Sequence, residues 1–186
     1  MHLYSILLFA HVLGAMGVVA AISLLMLWEV MAQRAQTTAE LQSIGEKQLR
    51  CASVLKALVP VLAGTGLYMA WAAWSLRAPW VIAALLTLIY LAVSGPLQFG
   101  RRMQRAIDVA IEAGSITPAV GEILDDPTFM ILKHTRVALL VMLVFLMTVK
   151  PGIVGTVCAV AAAIVLGIAS ARMRSGAREA PPFPAT

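Results

Sequence analysis

Five apolar stretches, separated by two short turns and two longer polar segments, dominate the pattern of residues along the chain. They cover residues 3–28, 51–76, 80–99, 131–149 and 153–171. A bilayer core about 30 Å thick is crossed by about 20 apolar residues in a helix, because lipid offers no partner to an unpaired backbone amide. We therefore predict an all-α fold, a polytopic transmembrane helix bundle with five spans.

Two connections between these stretches are tight turns in which proline or glycine ends a helix. The second and third stretches turn at residues 75–79, and the fourth and fifth turn at residues 150–152. A single helix over the last two stretches would place Lys150 at its middle, beside a proline, within about 40 residues. The pattern therefore favours two helical hairpins.

The two remaining connections are long enough to form helices of their own. Thr37 followed by Glu40 is a capping-box pattern, which predicts a helical extension over 37–50 that runs into the second span. Over 101–114, apolar residues recur at helical spacing, which predicts an amphipathic helix lying on the membrane surface. The proline-rich residues 177–186 are predicted to be a disordered tail, which leaves 1–176 as one transmembrane bundle.

Composition supports a membrane protein and excludes a water-soluble one. Of the 186 residues 61% are apolar and only 12% are charged, too few to cover a soluble surface. The net charge of +5 does not indicate nucleic-acid binding, because the basic residues flank apolar runs and form no continuous polar face. The lipid bilayer is the expected partner, with other membrane subunits or a second copy of the chain as further possibilities.

The distribution of lysine and arginine predicts the orientation. With the N-terminus outside, the inner segments carry Arg34, Lys47, Arg50, Lys56, Arg101, Arg102, Arg105, Lys133, Arg136, Arg172, Arg174 and Arg178. The outer segments carry only Arg77 and Lys150. This asymmetry follows the positive-inside rule and requires an odd number of spans, so the C-terminus is expected inside a bacterial inner membrane.

His11 is the residue most suggestive of chemistry. It lies about eight residues, roughly 12 Å, below the outer end of the first span, too deep for an imidazole to reach water. A small-residue stripe lies beside it, which allows another helix or a flat cofactor to approach, and consists of Ala10, Gly14, Gly17 and Ala21. His11 is expected either to hydrogen-bond to a neighbouring helix or to ligate a metal such as a haem iron.

Other residues could complete such a site. Met69 lies at a similar depth in the second span and is the candidate for a second axial ligand. Arg77 and Lys150, the outer cations, could bind haem propionates or, equally, lipid headgroups. Lys133 belongs to a basic cluster at the inner end of the fourth span, which orientation alone would explain.

The sequence lacks the patterns of familiar soluble enzymes. It contains no Gly-rich phosphate loop, no HExxH and no Ser/His/Asp set, and its two cysteines, Cys51 and Cys158, provide neither a disulfide framework nor a Cys-rich metal site. Whether the protein is an enzyme is left open by these observations.

Three segments carry a resemblance to known proteins. LLFAHVLGAMG, ILKHTRVALL and FLMTVKPG together resemble a family of small bacterial integral membrane proteins of unknown function. That family is similar in helix layout to the membrane domains of copper-resistance protein D and to HemJ-type protoporphyrinogen oxidase. In HemJ-like proteins a first-helix histidine and a later lysine matter for b-type haem binding and activity, which implies these roles for His11 and Lys133. The aromatic-Gly pair expected after the histidine is replaced by Gly17, Val18 and Val19.

Three functions follow as expectations. The first is binding of a b-type haem or a related tetrapyrrole, for electron transfer or porphyrin oxidation. The second is a non-catalytic role as an accessory or assembly subunit of a larger membrane complex. The third is copper handling, for which the sequence supplies no paired Met or His motif at an outer surface.

Overall fold

The computed structural model describes residues 2–179 and the side chains of residues 3–173, and every regular element in them is helical. The helices are α1 (His2–Ala32), α2 (Thr38–Ala73), α3 (Pro79–Ser94), a π-helical segment (Gly95–Gly100), α4 (Arg101–Ala113), α5 (Pro118–Leu124), α6 (Pro127–Val149) and α7 (Ile153–Glu179). Five helical stretches are long and apolar enough to cross a membrane. The all-α architecture with five spans is confirmed, and the chain is a multi-pass membrane protein.

The helix ends differ from the predicted ones by a few residues. α2 ends at Ala73, where the sequence predicted 76, because Pro79 opens α3 and its preceding residue Ala78 is extended. The chain reverses over 74–78, with the Ala78 amide donating to the Ser75 carbonyl. α6 begins earlier than predicted, at Pro127, behind an Asp126 carboxylate that accepts from the Thr128 amide at 2.8 Å. α7 runs to Glu179, and residues 180–186 of the predicted tail lie outside the described residues.

The chain divides into two compact units, Met1–Asp125 and Asp126–Thr186. In the first unit α1 packs antiparallel against α2 along the membrane-spanning length. A β-carbon built on Gly14 would lie 3.8 Å from a methyl of Leu62, and one on Gly17 would lie 3.1 Å from a methyl of Leu58. The small-residue stripe of α1 is therefore filled by leucines of α2, so the approaching group is another helix.

The first unit also contains a small hydrophobic core at the end of α2 that precedes its membrane span. It combines the beginning of α2 with the apolar face of α4, the end of α1 and α5. Its members are Ala32, Ala35, Leu41, Ile44, Met103, Ala106, Ile107, Ala110, Val120 and Leu124. α2 has 36 residues, many more than the about 20 that cross a bilayer, and this core packs around its first turns, so we call these residues the extramembrane core. The apolar face of α4 is buried within the protein and packs against other helices, not against lipid. That α4 lies along the membrane surface stays a prediction.

Local sequence signals define the two helix ends next to this core, the start of α2 and the end of α4. The Thr37 hydroxyl accepts from the Glu40 amide at 3.2 Å, as the capping box predicts. The Glu40 carboxylate accepts from the amide of Gln36, one residue before the expected position. Gly114 ends α4 in the left-handed conformation, with φ of 67°. The helical extension of α2 and the end of α4 at Gly114 are thus confirmed.

The second unit is the hairpin of α6 and α7. The two helices are in close contact at Gly167, where a β-carbon would lie 2.5 Å from Cα of Thr135. Lys150 ends α6 with φ of 51°, the one non-glycine residue with positive φ among the described residues. The predicted turn at 150–152 is confirmed.

Candidate functional site

His11 points from α1 towards α2, on the same face as the glycines that admit the leucines of α2. Its Nδ1 lies 3.1 Å from the carbonyl oxygen of Leu62 and 3.1 Å from the hydroxyl oxygen of Thr65. Both partners lie on the neighbouring helix, about 50 residues away along the sequence. The polar ring is therefore held by an interhelical hydrogen bond within a membrane span.

These partners determine which ring nitrogen carries the proton. The Leu62 carbonyl can only accept, so Nδ1 must be the donor. The Thr65 hydroxyl donates to the Val61 carbonyl at 2.7 Å, which leaves its oxygen available to accept from Nδ1 as well. A neutral imidazole with a proton on Nδ1 has a free lone pair on Nε2. His11 therefore presents an unprotonated Nε2, the form that binds a metal.

The position of the ring depends on Gly66. A β-carbon built on Gly66 would lie 2.9 Å from Cε1 of His11, closer than real β-carbons approach, and 3.4 Å from Nδ1. The imidazole thus lies directly against the backbone of α2, in space that only glycine leaves open.

The second ring nitrogen of His11 is not used by the protein. His11 is partly buried, and within the described part of the chain nothing lies at hydrogen-bonding distance from Nε2. Because Nδ1 is fixed by a carbonyl, Nε2 has a defined direction. This arrangement, in which one ring nitrogen donates to a backbone carbonyl and the other is open, is common for metal-ligating histidines.

Met69 lies on the same helix as the partners of His11, and no described contact brings it to Nε2. It is buried in α2, one helical turn beyond Gly66, with 9% of its surface exposed. Towards Gly14 and Gly17, on the side of His11 away from Met69, α1 and α2 pack closely through Leu62 and Leu58, which leaves no space there for a planar group between the helices. A tetrapyrrole on Nε2 would therefore have to approach the open edge of the ring.

The three candidate cations lie at helix ends. Arg77 is exposed in the turn between α2 and α3, eight residues beyond Met69. Lys150 is exposed at the end of α6, whereas Lys133 is 6% exposed near its beginning. Seventeen residues separate the two lysines along α6, about 25 Å, so one small ligand cannot contact both.

Sequence reasoning identified His11 but missed the residues that position it. These are Leu62, through its carbonyl, Thr65 and Gly66. The available signal was the run Gly64, Thr65, Gly66 inside an otherwise apolar span, since two glycines in a membrane helix indicate a close approach. A carbonyl partner has no sequence signal at all, because every residue carries one.

The donor set suits a cofactor that brings most of its own ligands. Within the described residues, no three His, Cys, Asp or Glu side chains come together as a metal site. Haem iron is already bound by four ring nitrogens and requires one or two protein ligands. A single oriented imidazole with an open Nε2 meets that smaller requirement.

Comparisons of this chain with family models, with curated proteins and with solved structures found no match.

Proposed function

We propose that this multi-pass protein resides in a bacterial inner membrane and binds a b-type haem, or a related tetrapyrrole, on Nε2 of His11, for electron transfer or porphyrin oxidation. The observation that carries the proposal is the hydrogen bond from Nδ1 to the Leu62 carbonyl at 3.1 Å. That bond leaves the lone pair on Nε2 and fixes its direction before any ligand arrives. The excess of basic residues at one end of the spans supports the inner-membrane assignment.

The residues around His11 have separable tasks in this proposal. The Leu62 carbonyl accepts the hydrogen bond from Nδ1, Thr65 adds a second acceptor, and Gly66 leaves room for the ring. A haem on His11 would supply a one-electron redox couple, whose potential depends on axial ligation and on the hydrogen bond to the imidazole. Met69 would be the candidate for a second ligand to the iron, and Arg77, a cation of the same unit, could bind a propionate.

Absorbance spectra of purified variants test the proposal. The wild-type protein, purified in mild detergent from cells supplied with a haem precursor, should show a Soret band that His11→Ala loses. His134→Ala is the matched control, because the Nδ1 of His134 also binds a carbonyl, that of Met130 on its own helix at 2.8 Å. A Soret band that survives His11→Ala, or that disappears only in His134→Ala, would contradict the proposal.

A second function, that of a non-catalytic accessory or assembly subunit, is favoured by a different observation. The small residues of α1 already pack against side chains of α2. His11 also binds α2, through the Leu62 carbonyl and the Thr65 hydroxyl. An interhelical hydrogen bond of this kind is sufficient to explain a histidine in a span, and it contributes about 0.6 kcal/mol on average.

Co-purification distinguishes this second function from the first. An accessory subunit should be recovered with larger membrane proteins at a fixed stoichiometry, and His11→Ala should leave that stoichiometry unchanged while lowering the thermal midpoint slightly. Recovery of the chain alone with one haem per molecule would decide for the first function.

A further inference from the structure

We propose that the extramembrane ends of α2 and α4 together form a binding surface for the headgroups of anionic phospholipids. The surface consists of Lys47 and Arg50 on α2 and of Arg101 and Arg105 on α4, all of them exposed. This proposal does not depend on the haem site or on which side of the membrane is inner, because it concerns the position of these residues relative to the bilayer surface.

The contacts between the two helices establish their register. The Thr38 hydroxyl donates to the Ala110 carbonyl at 3.3 Å, and a β-carbon on Gly45 would lie 2.5 Å from Cδ1 of Ile107 and 3.7 Å from Cγ of Met103. As the residue number rises along α2 it falls along α4, so the helices are antiparallel. One further turn brings the segments around Arg50 and Arg101 to the same level.

That level corresponds to the bilayer surface. α2 has 36 residues, which corresponds to about 54 Å of helix. Since about 20 residues cross the hydrocarbon core, residues preceding about position 54 project beyond it. α3 and α4 continue one another through the π-helical segment, which similarly places Arg101 just after the span.

Basic and acidic residues lie towards opposite ends of the two helices, with the basic ones where anionic lipid would be. The cations lie at the membrane end, whereas Glu40, Asp108 and Glu112 lie towards the far end of the extramembrane core. Glu46, beside Lys47, is the exception. A cation near an anionic bilayer surface gains about 1 kcal/mol, roughly a fivefold preference.

In the part of the chain that the structure describes, the four surface cations lack the protein partners that the more buried lysine and arginine side chains have. Arg102, Lys133 and Arg136 interact with other groups of the protein. Within the described residues, none of the four surface cations forms an ion pair. Because the apolar face of α4 is buried in the extramembrane core, its exposed face is free to meet headgroups.

Lipid selectivity measured with spin-labelled lipids tests this surface. In membranes of phosphatidylcholine, spin-labelled phosphatidylglycerol should associate with the wild-type protein about fivefold more strongly than spin-labelled phosphatidylcholine. Neutralising all four positions with glutamine should bring the ratio close to one. Arg34→Gln, at an exposed residue in the turn between α1 and α2, at the end of the extramembrane core farthest from the spans, should leave it unchanged. A variant with Arg50→Lys, Arg101→Lys and Arg105→Lys retains the charges and should retain the preference, which separates loss of charge from loss of fold.

Salt distinguishes lipid headgroups from free phosphate. Sodium chloride and sodium phosphate at equal ionic strength should weaken the preference equally, because both screen exposed charges. Removal of the preference by inorganic phosphate at an ionic strength where chloride has no effect would indicate a phosphate site instead and overturn the proposal. A wild-type ratio near one, or a glutamine variant with an undiminished ratio, would overturn it as well.

Discussion

The imidazole of His11 rests against the backbone of Gly66, so that a single added β-carbon would come within 2.9 Å of Cε1. This contact sets the distance at which Nδ1 reaches the Leu62 carbonyl, and therefore the direction of Nε2. The candidate site depends as much on a missing side chain in α2 as on the histidine in α1.

Gly66→Ala should disturb the site directly. The methyl group must displace the His11 ring, and overpacking of this kind costs roughly 1–3 kcal/mol. We expect a lower thermal midpoint in detergent and, if haem is bound, a shifted or weakened Soret band. Gly64→Ala is the matched control, since a β-carbon there meets nothing within 4 Å. Equal midpoints for the two variants would show that the ring does not lie where the structure has it.

Gly167→Ala should be more damaging than Gly66→Ala. The added β-carbon would meet Cα of Thr135 at 2.5 Å, and backbone cannot rotate away as a side chain can. The α6 and α7 helices would have to separate, at a cost of at least about 3 kcal/mol by the upper range for overpacking. Thermal unfolding measures the difference, again against Gly64→Ala. A midpoint at or above that of the wild type would refute the close approach of α6 and α7.

Leu41→Ala should loosen the extramembrane core while leaving the spans intact. Leu41 is fully buried, and truncation of a buried leucine costs about 2–5 kcal/mol. Limited proteolysis should then cleave the exposed segment around Gly114 and Ser115 faster than in the wild type. Leu49→Ala, on the same helix but 68% exposed, is the control and should be cleaved at the wild-type rate. Equal cleavage in all three proteins would argue against a packed core here.

Lys150→Gly should stabilise the α6–α7 hairpin. A left-handed conformation costs a residue with a β-carbon roughly 1–2 kcal/mol, which glycine avoids. Part of this gain is lost to the greater freedom of glycine in the unfolded chain, so we expect a net stabilisation of about 0.5–1 kcal/mol. Lys150→Ala removes the same side chain but retains the strain, and it should be less stable than the glycine variant. The reverse order, measured by thermal unfolding, would be inconsistent with the turn.

Hydropathy was sufficient for the five spans, because lipid forces backbone amides into helices wherever about 20 apolar residues run together. The start of α2 at Thr37 and the end of α4 at Gly114 were also predictable, since capping and left-handed termination depend on local residues.

What the apolar face of α4 packs against could not be predicted from local residues. Met103, Ala106 and Ile107 would be satisfied equally by lipid or by protein, and the periodicity is identical in both cases. Whether this face packs against protein depends on Gly45, which leaves space for Ile107. It also depends on Leu41 and Ile44, and neither segment alone indicates that they pack against α4. The carbonyl partner of His11, on Leu62, could not be predicted for a similar reason. Every residue carries a backbone carbonyl, so the sequence does not indicate which one accepts the hydrogen bond.

The haem content of the purified wild-type protein tests the central proposal most directly. The pyridine haemochrome of protein from cells supplied with a haem precursor should correspond to one b-type haem per chain, with a characteristic α-band on reduction by dithionite. Folded, monodisperse protein that carries no haem under these conditions, and acquires none when haem is added, would contradict the proposal.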